Sequence, residues 1–304
     1  MYKLSVFIRQ LKSAIDFRNI SSEKTNPNDL GYFMVTYLWV CLRLYLLFII
    51  INFKFGPMSL KELEDYHWFP SLFRKYQMEF IGILVSRFSL YDKVADMIKC
   101  DLAKNDIANI EDLCSGSGLP AIFVHRKLNK PGLTTTLTDK YPQQIEMEKD
   151  ICYEQEAVDI FNTGISSQKY YTMYNAFHHF ESEDQKRLLQ KVIKNQGNLL
   201  IVEIIQPTFL LFLQVTLAST LGVLFLCPLI KPFEWKRLFF TYILPINVLT
   251  VLIDGYISII KSKSKKTYTE WIKTHFENKD AISVEEHFRF PTYIITIKVK
   301  GSHV

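Results

Sequence analysis

The stretch Asp112–Leu128, DLCSGSGLPAIFVHRKL, decides the fold of this chain. Two closely spaced glycines, Gly116 and Gly118, follow a short apolar segment, and Pro120 stands where the first turn of a helix is expected. Glycines at such a place permit a tight turn and let backbone N–H groups approach a ligand at the N-terminus of the helix. The pattern predicts a strand, a glycine loop and a helix in succession.

A second strand and an acidic residue follow this helix. Pro131-Gly132 breaks the chain, and the β-branched stretch LTTTLTD then runs to Asp139. Asp139 stands 21 residues after Gly118, close to the spacing of ~20 at which an acid at the tip of the second strand accepts hydrogen bonds from ribose hydroxyls. Strand, loop, helix, strand and acid together predict one βαβ unit that binds a ribose-containing ligand.

The glycine pattern alone does not name that ligand. Gly116, Gly118 and Ala121 also satisfy G-x-G-x-x-A, a fingerprint of dinucleotide-binding domains. A nicotinamide-dependent oxidoreductase is therefore one hypothesis, and the rest of the chain has to decide between it and others.

Further motifs occur in a recognisable order. YNAFHHF at 174–180 precedes a polar helical stretch, SEDQKRLLQKVIK, and the apolar stretch NLLIVEII, while ISVEEHFRFPTYIITIKVKG near the C-terminus reads as two closing strands. Together with DLCSGSG at 112–118 and Asp139, this set resembles the class I S-adenosylmethionine-dependent methyltransferases. In that family the loop commonly reads D-L-G-C-G-x-G, the fourth strand ends in an N-x-L-H-H-like stretch, and the last strand runs antiparallel.

The resemblance implies a Rossmann-like α/β fold with a seven-strand sheet, and S-adenosylmethionine as the cofactor. It also implies cofactor-binding residues in the loop and after the strands, namely Asp112, Ser115, Gly116, Gly118, Asp139, Asp159 and Asn175. Among these, Asp159 takes the place of the acid that ends the third strand near the adenine. One departure is Cys114, which replaces the first loop glycine, and a residue with a side chain there must keep φ negative or be strained.

The histidine pair in YNAFHHF is the candidate for acid–base chemistry. The resemblance to plant-type O-methyltransferases implies that His178 is a general base, a role that suits imidazole because it titrates near neutral pH. The alternative is that both histidines pack and cap a helix. Because adjacent residues on a strand point to opposite faces, His178 and His179 are not expected to ligate one metal ion, and no metal site is predicted.

A long apolar insert follows the fifth strand. Residues 207–230 carry no charge, residues 238–260 carry only Asp254, and the basic connector KPFEWKR lies between the two runs. Each run is long enough to cross the ~30 Å hydrocarbon layer as a full hairpin. A shallow hairpin in one leaflet is the alternative, because Pro228 and Pro245 interrupt the runs and a full hairpin places the basic connector on the far side. Asp254 is expected to face protein or a polar cavity, or to lie half-buried at the interface.

Apolar segments also precede the βαβ unit. The first 30 residues contain a basic amphipathic helix that either lies in a membrane interface or packs on the domain. Gly31–Phe53 is a 23-residue run whose only charge is Arg43, read either as a membrane segment or as a buried helix and turn. The predicted organisation is a basic amphipathic segment (1–30), an apolar membrane-associated segment (31–56), a helical cap (57–105), a Rossmann-like cofactor-binding core (106–206), an apolar helical hairpin insert (207–260), and a C-terminal helix with the closing strands (261–304).

Composition excludes some classes of function. The formal net charge of +5 in 304 residues is too mild to indicate a nucleic-acid partner. The five cysteines are scattered and form no CxxC pair, so they suggest neither a zinc site nor a disulfide framework.

The sequence therefore predicts a membrane-associated, S-adenosylmethionine-dependent methyltransferase whose catalytic domain lies on the cytoplasmic side. Because the insert follows the fifth strand, where this family places its acceptor pocket, the acceptor is expected to be a membrane lipid or another hydrophobic small molecule. The alternatives are the nicotinamide-dependent oxidoreductase and a catalytically silent membrane scaffold with the same fold.

Overall fold

A computed structural model of the chain describes residues 61–143 and 147–301. The segments expected at 1–30 and 31–56 lie outside these residues, as do the first four residues of the expected helical cap.

The centre of the structure is one seven-stranded sheet of order β3-β2-β1-β4-β5-β7-β6. Its strands are β1 (Asn109–Leu113), β2 (Thr134–Thr138), β3 (Ile151–Tyr153), β4 (Tyr170–Tyr174), β5 (Asn198–Glu203), β6 (Ile282–Arg289) and β7 (Thr292–Val299). The first five strands pair in parallel, and β7 runs antiparallel to both β5 and β6. This mixed sheet confirms the predicted methyltransferase-type Rossmann-like fold, including the antiparallel last strand.

Helices cover both faces of the sheet. The described helices are α1 (Ser71–Arg87), α2 (Asp92–Asn105), α3 (Leu119–Leu128), α4 (Ser182–Lys194), α5 (Phe209–Leu217), α6 (Val223–Leu226), α7 (Trp235–Leu238), α8 (Ile246–Lys261) and α9 (Lys265–His275). Buried side chains of α2 and α3 pack on one face of the sheet, and those of α4 and α9 pack on the other. All residues of β4 and β5 are buried, as expected for parallel strands covered on both sides.

The order of the strands fixes where a ligand can bind. The chain leaves β1 toward β2 on one side, and returns to β4 on the other side of β1. In open α/β sheets the crevice at such a switch point, beyond the carboxyl ends of the strands, is the usual binding site. The loop after β1 and the ends of β2 and β4 therefore form the candidate site.

The apolar insert is a set of bent helices rather than two straight ones. Its first part, Phe209–Leu229, includes a π-helical turn at Ala218–Gly222, and it is the one described helix that is long and apolar enough to cross a membrane. The most apolar 18-residue stretch of this helix is 33% buried. Core helices of soluble proteins can be equally long and apolar, so length and composition alone do not show a membrane span. The second part bends by 75° between Trp235–Ile243 and Ile246–Lys261, where Pro245 interrupts the helix.

The basic connector lies against the α/β domain itself. Glu234 accepts a hydrogen bond from Lys75, and Arg237, which is buried, pairs with Glu79, so both contacts reach α1. Helix α1 in turn packs on α3 of the βαβ unit. A hairpin that crosses the bilayer would hold the connector about 30 Å from the domain. These contacts therefore disfavour the full crossing and fit the shallow alternative.

Asp254 joins the insert to the segment before α1. Its side chain accepts hydrogen bonds from the backbone N–H of Leu63 (2.6 Å) and of Glu64 (3.3 Å), and from Nε2 of Gln77 (2.9 Å). Asp254 is buried. The one charge of this apolar run therefore faces protein, as the first of the sequence-based alternatives states.

We expect Asp254→Ala to lower the free energy of unfolding by roughly 2–4 kcal/mol, because the change leaves buried donors without their charged acceptor. The measurement is urea denaturation followed by circular dichroism at neutral pH. Glu270→Ala serves as the control, since Glu270 is exposed and pairs only with Lys266 at 3.9 Å. If both variants unfold at the same urea concentration, Asp254 does not anchor the insert.

Candidate active site

The loop after β1 has three alternate residues in the left-handed region. Cys114 has φ +56°, Gly116 +54° and Gly118 +70°. Cys114 thus adopts the strained one of the two conformations considered for it, since a side chain disfavours positive φ. Gly118 is required for a second reason as well, because a Cβ there would lie 2.4 Å from Cδ1 of Leu137.

The side chain of Ser115 ties the loop to the tips of β1 and β2. Its hydroxyl donates to the carbonyl of Asp112 (2.9 Å) and accepts from the N–H of Thr138 (3.1 Å). The N–H of Ser115 donates to the carbonyl of Thr138 (3.0 Å). The structure thus uses this hydroxyl, which the resemblance places at the cofactor, to hold the loop in shape.

Asp139 lies at the end of β2 and faces the glycine loop. Its Oδ2 accepts a hydrogen bond from the N–H of Gly116 (2.8 Å), and its Oδ1 accepts one from the N–H of Tyr141 (2.7 Å). Partial burial raises the pKa of this carboxyl above its ordinary value. Each carboxylate oxygen has a further lone pair, so Asp139 can also accept hydrogen bonds from two ribose hydroxyls.

Asp112 is a buried acid at the end of β1. Its Oδ1 accepts a hydrogen bond from the hydroxyl of Thr172 on the neighbouring strand β4 (2.7 Å). Burial raises its pKa to about 7. A nearby cation favours the charged form of a carboxyl, so Asp112 and Asp139 suit a ligand that combines positive charge with a ribose. S-adenosylmethionine, which carries a sulfonium and an ammonium group, fits these residues.

Asp159 is not at the end of a strand, because β3 already ends at Tyr153. It begins a turn instead, in which its Oδ1 accepts a hydrogen bond from the N–H of Phe161 (2.9 Å). The preceding residue, Val158, donates its N–H to the carbonyl of Asp139 (2.9 Å). The expectation that Asp159 ends the third strand is therefore wrong, and the residue lies in a loop near the tip of β2.

The amide of Asn175 connects three parts of the fold. Its Nδ2 donates to the hydroxyl of Tyr91 (2.5 Å), which precedes α2, and its Oδ1 accepts from the N–H of Ile204 (2.9 Å), which follows β5. The residue has φ +52°. Both ends of the side chain thus hold protein groups together, and this is the contribution that the structure shows for Asn175.

The histidine pair lies on a 3₁₀ turn, Phe177–His179, and not on a strand. The expectation that the two side chains point to opposite faces is therefore wrong, and their ring centroids are 4.6 Å apart. His178 is buried, and its Nδ1 lies 2.6 Å from Oε2 of Glu203. Glu203 also accepts the N–H of Phe177 (2.8 Å), so this carboxylate fixes both the turn and the ring.

His179 is surrounded by carboxylates from the segment before α1. Its Nδ1 lies 3.2 Å from both oxygens of Asp65, and its Nε2 lies 3.5 Å from Oε2 of Glu62. Burial opposes protonation of this imidazole, but the carboxylates of Glu62, Asp65 and Glu64 outweigh it and raise the pKa to about 9. Sequence reasoning missed Glu62 and Glu203 because no motif links ELED at 62–65 to the histidines.

Comparisons with known proteins gave matches among solved structures alone. No family model and no curated protein matches this sequence. Similar solved structures include human N-acetylserotonin methyltransferase in complex with SAM (14% identity, TM-score 0.44, covering 83% of this chain and 62% of that one). The mitomycin 7-O-methyltransferase MmcR (14%, 0.41, 82% and 62%) and the plantazolicin methyltransferase BpumL in complex with SAH (10%, 0.45, 76% and 98%) are also similar.

The chain thus spans less than two thirds of the length of the first two of these proteins. At such identities the likeness concerns the fold alone. The order of its seven strands, with β7 antiparallel between β5 and β6, defines the chain as an α/β protein with the predicted methyltransferase-type sheet.

Burial of Asp112 predicts a pH dependence of stability. Its pKa is raised from 3.8 to about 7 in the folded protein, so between these values the folded state keeps a proton that the unfolded state has released. The free energy of unfolding therefore falls as pH rises through this range. We expect Asp112→Asn, which does not titrate, to show a shallower fall in urea denaturation series.

The control for this series is Asp96→Asn, because Asp96 is an exposed residue of α2. It should keep the slope of the original protein. Equal slopes for all three proteins would mean that Asp112 is not the buried acid described above.

Proposed function

We propose that this chain is an S-adenosylmethionine-dependent methyltransferase. The observation that carries the proposal is the contact between the Asp139 carboxylate and the N–H of Gly116 (2.8 Å), at the switch point of a methyltransferase-type sheet. This contact puts an acid suited to ribose beside a loop suited to close backbone approach.

Each residue around this contact binds a different part of the cofactor. Asp139 accepts the ribose hydroxyls, Asp112 lies nearest the cationic end, and Asp159 borders the adenine. When bound, the cofactor supplies an already reactive methyl group, so the protein has to contribute position rather than activation. The buried acids and the hydrogen-bonded loop of this chain suit such a positioning role.

The sheet also argues against the nicotinamide hypothesis. The dinucleotide-binding fold has the strand order 3-2-1-4-5-6 in a mostly parallel sheet. Here β7 inserts antiparallel between β5 and β6. The pair of acids at the switch point likewise suits a cationic ligand better than an anionic pyrophosphate.

The pairing of Glu203 with His178 bears on the chemistry. A carboxylate at Nδ1 fixes the tautomer that keeps the proton on Nδ1 and leaves a lone pair on Nε2. An imidazole oriented in this way either accepts a proton from an acceptor hydroxyl, as the resemblance implies for His178, or binds a cation. Both roles depend on the Glu203–His178 hydrogen bond (2.6 Å).

We further propose that the insert rests on a lipid surface and that the acceptor is hydrophobic. The proposal is supported by the large apolar side chains that the insert exposes, namely Phe209, Leu210, Leu217, Leu221, Phe225, Leu229, Phe233, Trp235, Phe239, Tyr242, Ile243, Leu244, Leu249, Ile253 and Ile260. Lys231 and Lys236 are exposed among them. Exposed aromatic rings with neighbouring lysines suit an anionic membrane surface. A peripheral position in the cytoplasmic leaflet keeps the domain where the cofactor is made.

Removal of the Asp139 carboxylate should weaken the cofactor site. We expect Asp139→Ala to reduce the affinity for S-adenosylhomocysteine by about ten- to a hundredfold, since a hydrogen bond to a charged group contributes about 1.5–3 kcal/mol. Isothermal titration calorimetry measures the change. The control, Asp96→Ala, removes an exposed carboxylate of α2 and should bind normally. Unchanged affinity in a folded Asp139→Ala variant rules out this placement of the ribose.

Loss of two exposed aromatic rings should release the protein from lipid. Phe225 is 73% exposed and Trp235 76% exposed, and each ring contributes about 1.5–3 kcal/mol when buried. In flotation with phosphatidylcholine–phosphatidylserine vesicles, Phe225→Ser/Trp235→Ser should bind at least about tenfold more weakly than the original protein. Trp68→Ser, which changes a 68% exposed tryptophan outside the insert, is the control.

Three outcomes of this flotation experiment separate the proposals. If the unchanged protein does not float with vesicles, the lipid surface is wrong and the methyltransferase proposal stands untouched. If it floats and the double variant floats equally well, another part of the chain carries the contact. If Trp68→Ser is released as strongly as the double variant, the insert has no special part in binding.

A further inference from the structure

Glu62, which precedes α1, lies close in space to His178 and His179, which follow β4. Each of the three offers one atom that could bind a metal ion. Nε2 of His178 lies 3.7 Å from Oε1 of Glu62, and Nε2 of His179 lies 3.5 Å from Oε2 of the same carboxylate. The three ligand atoms all lie within 4.8 Å of one another. Zinc bonds of about 2.0–2.1 Å in a tetrahedron place ligand atoms roughly 3.3–3.5 Å apart. The two separations between an imidazole Nε2 and the Glu62 carboxylate are close to this value, while the set as a whole, within 4.8 Å, has to contract around an ion.

Each histidine also has a carboxylate behind its other ring nitrogen. Nδ1 of His178 lies 2.6 Å from Glu203, and Nδ1 of His179 lies 3.2 Å from Asp65. Metal-ligating histidines almost always have such a partner, which fixes the tautomer and orients the ring. Two carboxylate–histidine pairs whose Nε2 atoms converge on one carboxylate are not needed for packing a turn.

Glu62 provides an independent indication. It is 2% exposed, and its Oε1 has no hydrogen-bond partner. A buried carboxylate oxygen without a partner is costly unless a cation compensates it. The ammonium of Lys261 lies 3.7 Å from this oxygen and 3.7 Å from Asp65, so it is shared between two acids and bonds to neither at hydrogen-bond distance.

The balance of charge at this point favours a further cation. Glu62, Asp65 and Glu203 contribute three carboxylates, against which His179 brings a positive charge only until a bound metal ion displaces its proton. Lys261 is the ammonium that pairs with Glu62 and Asp65 among the described residues. A doubly charged ion among these groups relieves the repulsion between the carboxylates.

We propose that Glu62, His178 and His179 bind a divalent transition-metal ion, for which zinc is the best match. Two imidazole nitrogens and one carboxylate oxygen form a ligand set that suits zinc, and three protein ligands leave the fourth position open, as in catalytic rather than structural zinc sites. Asp65 and Glu203 are positioning residues that act through the two rings.

This assignment deepens the proposed function and, for its consequence, rests on it. If the chain transfers a methyl group, the open position would hold an oxygen of the acceptor, and the ion would lower the pKa of the acceptor hydroxyl so that its proton passes to water before the oxygen takes the methyl group from the sulfonium. His178 then binds the ion through Nε2 and does not itself take up the proton. Metal binding as such requires no methyl transfer, so it is tested separately.

The test is a metal titration of the full chain without a polyhistidine tag, after treatment with EDTA and removal of the chelator. We expect one Zn²⁺ to bind per chain in calorimetry, and one Co²⁺ to give the visible absorption of a tetrahedral site. Glu62→Gln keeps the shape of the side chain but removes its charge, and it should weaken Zn²⁺ binding by at least about a hundredfold. Asp65→Asn should weaken it by about ten- to a hundredfold, as for other partners of ligating histidines.

His287→Gln is the matched control, because His287 also lies beside a carboxylate, 3.4 Å from Glu285, but belongs to no His/Cys/Asp/Glu cluster within the described part of the chain. It should bind Zn²⁺ like the original protein. His179→Gln removes one ligand and should also weaken Zn²⁺ binding, and if it fails to fold, Glu62→Gln and Asp65→Asn still decide the question. Absence of Zn²⁺ binding, or binding that is insensitive to Glu62→Gln, overturns the site.

Binding of S-adenosylhomocysteine to the same samples keeps the two proposals apart. If it binds and Zn²⁺ does not, only the metal site is wrong. If Zn²⁺ binds in a Glu62-dependent manner and S-adenosylhomocysteine does not, the cofactor proposal is wrong, while the metal site stands and its suggested role in methyl transfer is lost.

Discussion

The hydrogen bond from the N–H of Gly116 to Oδ2 of Asp139 (2.8 Å) is the contact on which the candidate site depends. It closes the loop after β1 onto the tip of β2, and it requires the loop to hold Cys114, Gly116 and Gly118 at positive φ. The buried hydroxyl of Ser115 holds the same loop, because it donates to the carbonyl of Asp112 and accepts from the N–H of Thr138. The rest of the sheet keeps the two strand tips side by side. The site is therefore formed before a ligand binds, and the protein loses little conformational entropy on binding.

A second constraint on this molecule is the burial of several acidic side chains. Asp112, Glu62, Glu203 and Asp254 are each at most 6% exposed, although taking a carboxylate out of water is costly. Asp254 is compensated by backbone donors from the segment before α1 and by Gln77 of α1, and Glu203 by the turn that carries His178. Asp112 and Glu62 have less compensation, which in our account is the contribution of two cations, the organic cofactor and a metal ion.

Local pattern was enough to predict much of the fold. Glycine spacing, β-branched runs and the C-terminal strands all lie within short stretches, and they gave the βαβ unit and the antiparallel last strand correctly. The histidine cluster was out of reach, because Asp65 and His179 are 114 residues apart and no periodicity links them. The premise that the histidines lie on a strand failed because β4 ends at Tyr174, before a 3₁₀ turn. The sequence could not decide between a full and a shallow hairpin, because apolar length does not reveal the contacts from Glu234 and Arg237 to α1.

The central claim is that the loop after β1 and the tip of β2 bind S-adenosylmethionine. Its most direct test is ultraviolet cross-linking of the cofactor, labelled in its methyl group, to the purified chain, followed by peptide mapping. The account predicts label in the tryptic peptides that contain Gly116 or Asp139, suppressed by an excess of S-adenosylhomocysteine and unaffected by NAD. Label confined to other peptides, or label that NAD displaces equally well, would contradict it.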